Sequence, residues 1–209
     1  MHKLLLATVA AAALFTAGAA SATSTAVSIW TDQSAVASDA TLANIATLGA
    51  PDATTTVGPI NFTTNDSTTT TVNQWLGQSL PDPTGSHVLN NTVFLFTGTT
   101  FLAAGANNFS VLHDDGVELN IDGIGIVLSD PGPTAATESP FTVTASTAGF
   151  YNFELAYGEC CGGPATVLFD VNGGPAGVPE PATWAMMLVG FGGLGAAMRS
   201  KRRKQVVAV

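Results

Sequence analysis

From Thr23 to about Gly177 this chain contains no lysine and no arginine. His87 and His113 are the only residues left in that span able to carry a side-chain positive charge, whereas 14 of the chain's 15 acidic residues, all but Glu180, fall inside it. Nucleic-acid binding draws its affinity from Lys and Arg on phosphates, so this body excludes a nucleic-acid partner. A lysine Schiff base, a P-loop lysine and an arginine clamp on an anionic substrate are excluded with it. The carboxylates lack cations to pair with, so they must be solvated, hydrogen-bonded or bound to metal. Catalytic signatures are missing too. There is no G-x-S-x-G elbow and no H-E-x-x-H pair, and Ser86-His87 are chain neighbours rather than a nucleophile with its base, so the chain reads as a non-enzyme.

All six basic residues stand at the ends. Lys3 precedes the apolar, Ala-rich stretch Leu4 to Ala20, and Ala20-Ser21-Ala22 forms an A-x-A cleavage site, so residues 1–22 read as a secretory signal peptide. At the other end Pro179, Glu180 and Pro181 lead into an apolar run, 182–198, which stops at Arg199, Lys201, Arg202, Arg203 and Lys204. A helix over that run spans about 25 Å, just enough to cross the hydrocarbon layer if the basic residues snorkel. The basic block, 199–204, sets the orientation, with itself in the cytoplasm and everything before Glu180 outside. Each proline removes an N–H, and Pro181 biases Glu180 away from the α region, so Pro-Glu-Pro is an extended strip that a protease can grip.

Val178-Pro179-Glu180-Pro181-Ala182-Thr183-Trp184, with Gly190-Phe191-Gly192 and the basic tail, resembles the PEP-CTERM sorting signal of Gram-negative bacteria. The resemblance assigns 178–209 to that signal. It implies export by the general secretion machinery through the inner membrane, a transient membrane anchor, and cleavage by an exosortase with release to the cell surface or extracellular matrix. The same tail occurs on some ice-binding proteins, which makes ice binding a remote alternative. The threonines at Thr54 to Thr56 and Thr68 to Thr71 lack the repeat period of a regular ice-binding array.

What remains, 23–177, fits one domain with a sizeable core. Gln33 to Leu48 has apolar positions near helical spacing and predicts one short helix. Asp52 to Thr71 reads as irregular edge strand and loop. Seven strand signals follow: Thr92 to Thr97, Asn107 to Leu112, Val117 to Ile121, Ile124 to Leu128, Phe141 to Ala145, Phe150 to Tyr157 and Thr166 to Val171. Phe153, Leu155 and Tyr157 alternate with Glu154 and Ala156. The pattern predicts a mainly β fold, a single antiparallel β-sandwich of jelly-roll type. Asp122-Gly123 is the dipeptide favoured by a two-residue type I′ hairpin turn.

Chemistry centres on His113-Asp114-Asp115-Gly116. The adjacent Asp114 and Asp115 lie where one strand ends and a hairpin is expected to begin, and their carboxylates suit calcium, which takes six to eight oxygen ligands in irregular geometry. The alternative is that the two aspartates only cap a turn. Asp122 is seven residues beyond Asp115 and too distant along a strand to share a cation. This stretch, with Gly149-Phe150-Tyr151 and Gly162-Gly163-Pro164, resembles the protective-antigen-type β-sandwich of adhesins, flocculins and glycosidases, over about 92–171. In its sugar-binding members the paired aspartates hold calcium across a cis peptide and the metal meets sugar hydroxyls, so the resemblance implies that role for Asp114 and Asp115.

Cys160 and Cys161 are the only cysteines, set among glycines, and in an oxidising exported compartment they would form a vicinal disulfide, remain two free thiols, or bridge chains. Two functions follow. One is a carbohydrate-binding or adhesive module bound to extracellular polysaccharide, with Trp30, Trp75, Tyr151 and Tyr157 as aromatic platforms. The other is a structural surface or biofilm-matrix protein whose aromatics are core.

Overall fold

The computed structural model describes residues 24–176. The signal peptide expected over 1–22 and the sorting tail with its membrane helix over 182–198 lie outside the described residues, within which no helix is long and apolar enough to cross a membrane.

The expected antiparallel sandwich is present. Its first sheet has six strands in the order β2 (Ala53–Val57), β1 (Thr25–Trp30), β4 (Thr92–Leu102), β9 (Gly149–Glu159), β6 (Gly116–Ile121) and β7 (Gly125–Asp130). In the second, β8 (Thr137–Ala145) pairs β5 (Gly105–Asp114), which pairs β10 (Ala165–Val171). On the far side of β10 lie β3 (Asn61–Thr64) and β11 (Gly174–Pro175) in tandem. All pairings are antiparallel.

Period 2 builds the core. In β9 the residues Phe153, Leu155 and Tyr157 face inward beside Phe94 and Phe96 of β4, and Val111, Val167 and Phe169 of the second sheet close over them. Helix α3 (Val72–Leu76) seals one end with Trp75, whose ring centroid lies 5.0 Å from Phe94 and 5.5 Å from Tyr157. Its start is fixed by a capping box in which Thr71 accepts the Gln74 N–H and Gln74 accepts the Thr71 N–H; Gly77, in the left-handed region, ends it.

The single helix expected over Gln33 to Leu48 is two one-turn helices, α1 (Ser34–Ala37) and α2 (Leu42–Ile45). Ala40 N–H leaves the helical pattern to donate to Pro131 C=O at 2.9 Å, and Thr41 restarts it as the N-cap of α2. Both pack Ala37 and Ile45 with Trp30, Val93 and Ala156, covering one half of the first sheet's outer face.

The β6–β7 hairpin exists, but its turn is not type I′. Ile124 N–H donates to Ile121 C=O across Asp122 and Gly123, and only Gly123 has positive φ. The Asp122 N–H donates to Asn152 C=O, continuing the β6–β9 ladder one residue past β6.

A candidate cation site at the corner between the sheets

The Asp-Asp-Gly segment does not begin a hairpin. Strand β5 ends at Asp114 in the second sheet and β6 starts at Gly116 in the first, so Asp115 alone carries the chain from one layer to the other. The Asp114–Asp115 peptide is cis. Gly116 is required by crowding and not by its backbone angle: a Cβ there would lie 2.0 Å from Pro131 C=O. Gly158, its direct partner on β9, is similarly covered, since a Cβ would meet Ala37 C=O at 2.4 Å. Through this glycine pair the Pro131 loop and the α1–α2 segment settle onto the first sheet.

The two aspartates have different work. Asp115 Oδ1 accepts the Thr134 N–H and Oδ2 accepts the Cys160 N–H, both at 3.0 Å. It therefore tethers the Pro131 loop and the Cys160 loop to the corner. Asp114 has, apart from the nearby Ala136 N–H, no donor directed at its carboxylate among the described residues. It is 6% exposed, and burial first, then the Asp115 charge, raises its pKa; burial likewise raises that of Asp115 against its two N–H donors. His113 is spoken for. Its Nδ1 bonds the Asp115 carbonyl at 2.7 Å and its Nε2 lies 3.2 Å from Ser139 Oγ, so the ring braces the corner.

Beneath Asp114 runs a buried relay that local sequence signals did not reveal. Tyr157 OH bonds the Asp114 carbonyl and lies 2.9 Å from Glu159 Oε2. A carbonyl only accepts, so the single phenolic proton goes to Asp114. Glu159 is fully buried, and burial foremost pushes its pKa up to about 8, with the Asp115 and Asp114 charges adding to the shift. At neutral pH its carboxyl is mostly protonated and donates to Tyr157. Neighbouring Ser67 opposes the shift, yet Ser67 Oγ and Glu159 Oε1 are both buried without a partner in hydrogen-bond geometry. Burial, followed by the Glu159 charge, raises the Tyr157 pKa as well.

Cys160 and Cys161 form a vicinal disulfide at the rim, with Cys161 in the left-handed region at φ 68°. The aromatic platforms expected from sequence are elsewhere: Trp30, Trp75 and Tyr157 are buried, and half-buried Tyr151 donates to Thr147 C=O at 2.9 Å. Ser86 Oγ donates to Pro83 C=O while His87 Nε2 faces Asp32 at 3.0 Å, so the two form no nucleophile–base pair.

Two solved structures share this architecture. The PA14 domain of the antifreeze protein MpAFP is 17% identical with a TM-score of 0.58, covering 76% of this chain and 87% of that one. The PA14 sugar-binding domain from an RTX adhesin is 20% identical with a TM-score of 0.53, covering 74% and 93%. The fold is that of a PA14 domain. Outside this β-sandwich, residues 177–203 match the family described as the PEP-CTERM protein-sorting motif. That motif implies export, membrane-associated sorting to the cell surface and processing by an exosortase. No curated protein matches the chain.

The donor set at the Asp114–Asp115 corner suits a hard cation in part. Two buried carboxylates, Asp114 and Asp115, stand on adjacent residues there, and the cysteines, paired with each other, offer no thiolate. Among the described residues no group of three or more His, Cys, Asp and Glu forms a shell, so any further ligands would be carbonyl, amide, hydroxyl or water oxygens.

The unequal bonding of the two aspartates predicts unequal mutants. In the absence of added cation, Asp115→Ala strands the buried Cys160 N–H and the part-buried Thr134 N–H and should cost on the order of 3 kcal/mol in urea unfolding. Asp114→Asn removes a poorly paired charge and should shift stability by less than about 1 kcal/mol.

Proposed function

We propose that this is an exported, exosortase-processed surface or extracellular-matrix protein whose PA14 body is a non-catalytic carbohydrate-binding, adhesive module. In this reading Asp114 and Asp115 hold calcium, which when bound would supply a positive centre for vicinal sugar hydroxyls. One observation carries it: the Asp114 carboxylate sits desolvated beside Asp115, in a body without Lys or Arg, and has little else to pair with. Asp115 positions the site by gripping the Thr134 and Cys160 N–H groups; Tyr157 and His113 fix the carbonyls on either side of the corner peptide. The Cys160–Cys161 loop forms the rim that extracellular polysaccharide would approach.

A second reading, a structural matrix protein without a ligand, is favoured by the burial of Trp30, Trp75 and Tyr157 in the core. Calcium titration separates the two. A saturating excess of calcium, about 100 times its Kd, stabilises by about 2.7 kcal/mol, so the melting temperature should rise by roughly 5–10 °C, reverse with EDTA and stay flat in Asp114→Asn. Glycan-array binding that disappears with EDTA would complete the assignment. A wild-type melting curve indifferent to calcium would remove the metal, and a blank array the sugar.

A further inference from the structure

The exposed half of the first sheet's outer face carries the largest exposed apolar side chains of the described body. Phe101 on β4 and Phe150 on β9 sit directly opposite each other, 47% and 70% exposed, with ring centroids 5.5 Å apart in an edge-to-face pair. Ile126 on β7 is 60% exposed and Ile124 38%. Side chains of this kind on a soluble domain mark a contact surface. Asn152 and Glu154 continue along β9 from Phe150 on the same face, one step of about 7 Å apart. Each is paired across to β6: Asn152 Nδ2 donates to Asp122 Oδ2 at 2.9 Å, and Asn120 Nδ2 donates to Glu154 Oε2 at 3.4 Å.

We propose that this face binds a polysaccharide bearing free amines, independently of calcium and of the Asp114–Asp115 corner. Sugar C–H faces stack on exposed aromatic rings, and an ammonium gains further from the ring face. The two amide–carboxylate pairs hold planar acceptors already oriented along the strand direction, so little rotamer freedom is lost when hydroxyls and amines dock on them. Charge selects the occupant. The described body offers no Lys or Arg, so anionic glycans and anionic lipid surfaces are repelled, and a second copy would set Asp122 and Glu154 against their own kind. A cationic sugar chain complements both the carboxylates and the rings. The position is separate from the corner: Glu154 and Asn152 precede Gly158, the partner of Gly116, by four and six residues of β9, roughly 13 and 20 Å.

The test is calorimetry on the full-length chain in detergent at pH 6 with EDTA present, titrating a glucosamine hexamer, an N-acetylglucosamine hexamer and a lysine-rich peptide. Binding of the glucosamine hexamer should persist in EDTA and in Asp114→Asn, and should weaken at least tenfold in Phe150→Ala and in the double variant Asp122→Asn, Glu154→Gln. Phe150 is mostly exposed, so Phe150→Ala should keep the wild-type melting temperature; if it does not, Ile126→Thr on edge strand β7 serves in its place. Equal affinity for the N-acetylated hexamer, preference for the peptide, no binding at all, or binding untouched by these variants overturns the proposal. Loss of binding in EDTA or in Asp114→Asn overturns it also, assigning the sugar to the corner site.

Discussion

Gly116→Ala is expected to abolish folding under conditions where Gly132→Ala, sixteen residues on, behaves as wild type. At Gly116 the added methyl would stand 2.0 Å from the Pro131 carbonyl, whereas at Gly132 nothing lies within 4 Å. The obstacle is backbone and cannot rotate aside. Moving Pro131 breaks its bond to Ala40 N–H, and the same loop carries Thr134, whose N–H is held by Asp115. Overpacking with loss of these two hydrogen bonds should cost more than about 4 kcal/mol, a large part of a single domain's stability. Expression yield and far-UV circular dichroism would measure it. A Gly116→Ala protein melting within 2 °C of wild type would refute the packing described at the corner.

The second large effect is a pH dependence. Glu159 is held near 8 in the folded chain against an ordinary 4.5, so the native state keeps a proton that the unfolded chain releases. Stability contributed by this group is complete below about 4.5 and is lost as pH climbs through about 8, with a slope approaching 1.4 kcal/mol per pH unit and a total on the order of 4 kcal/mol. The groups facing it are Tyr157, Asp114, Asp115 and Ser67; burial raises the pKa values of both aspartates, so their contributions have the same sign. Urea unfolding of the full chain at intervals from pH 5 to 8.5, in EDTA, should show falling stability across that range. Glu159→Gln, always neutral and able to donate to Tyr157, should flatten most of the slope and be the more stable protein at pH 8.5. A wild-type profile level from pH 5 to 8.5 would mean that Glu159 is ionised in place.

The fold was legible where period 2 was clean. In 149–159 the inward set Phe153, Leu155 and Tyr157 alternates with Asn152, Glu154 and the small Ala156, and all seven expected strands lie within β4 to β10 or overlap them. Strand β1 went unread because nothing in Thr25–Trp30 separates it from the apolar and small residues upstream. Helix α3 went unread just after a threonine-rich stretch, although Thr71 followed three residues later by Gln74, with Gly77 beyond, is a start and stop signal. The Asp-Asp-Gly corner looked like a hairpin because a short link normally joins paired strands; only the sheet order reveals that β5 and β6 belong to different layers. Glu159 had no signal at all, since its burial depends on Ser67 and Tyr157 meeting it across the fold. Phe150 did have one: it shares its phase with Asn152 and Glu154, not with Phe153, which already placed an aromatic on the outward side.

The corner at Asp115 also has a mechanical meaning. One residue bridges the two layers, with each layer's own ladder gripping the strand on its side. Sliding or prying the halves of the sandwich must therefore drag the Asp114 and Asp115 side chains out of alignment. Anything clasped between them would act as a rivet, and a surface protein under tension would loosen its hold there as its two leaves came apart.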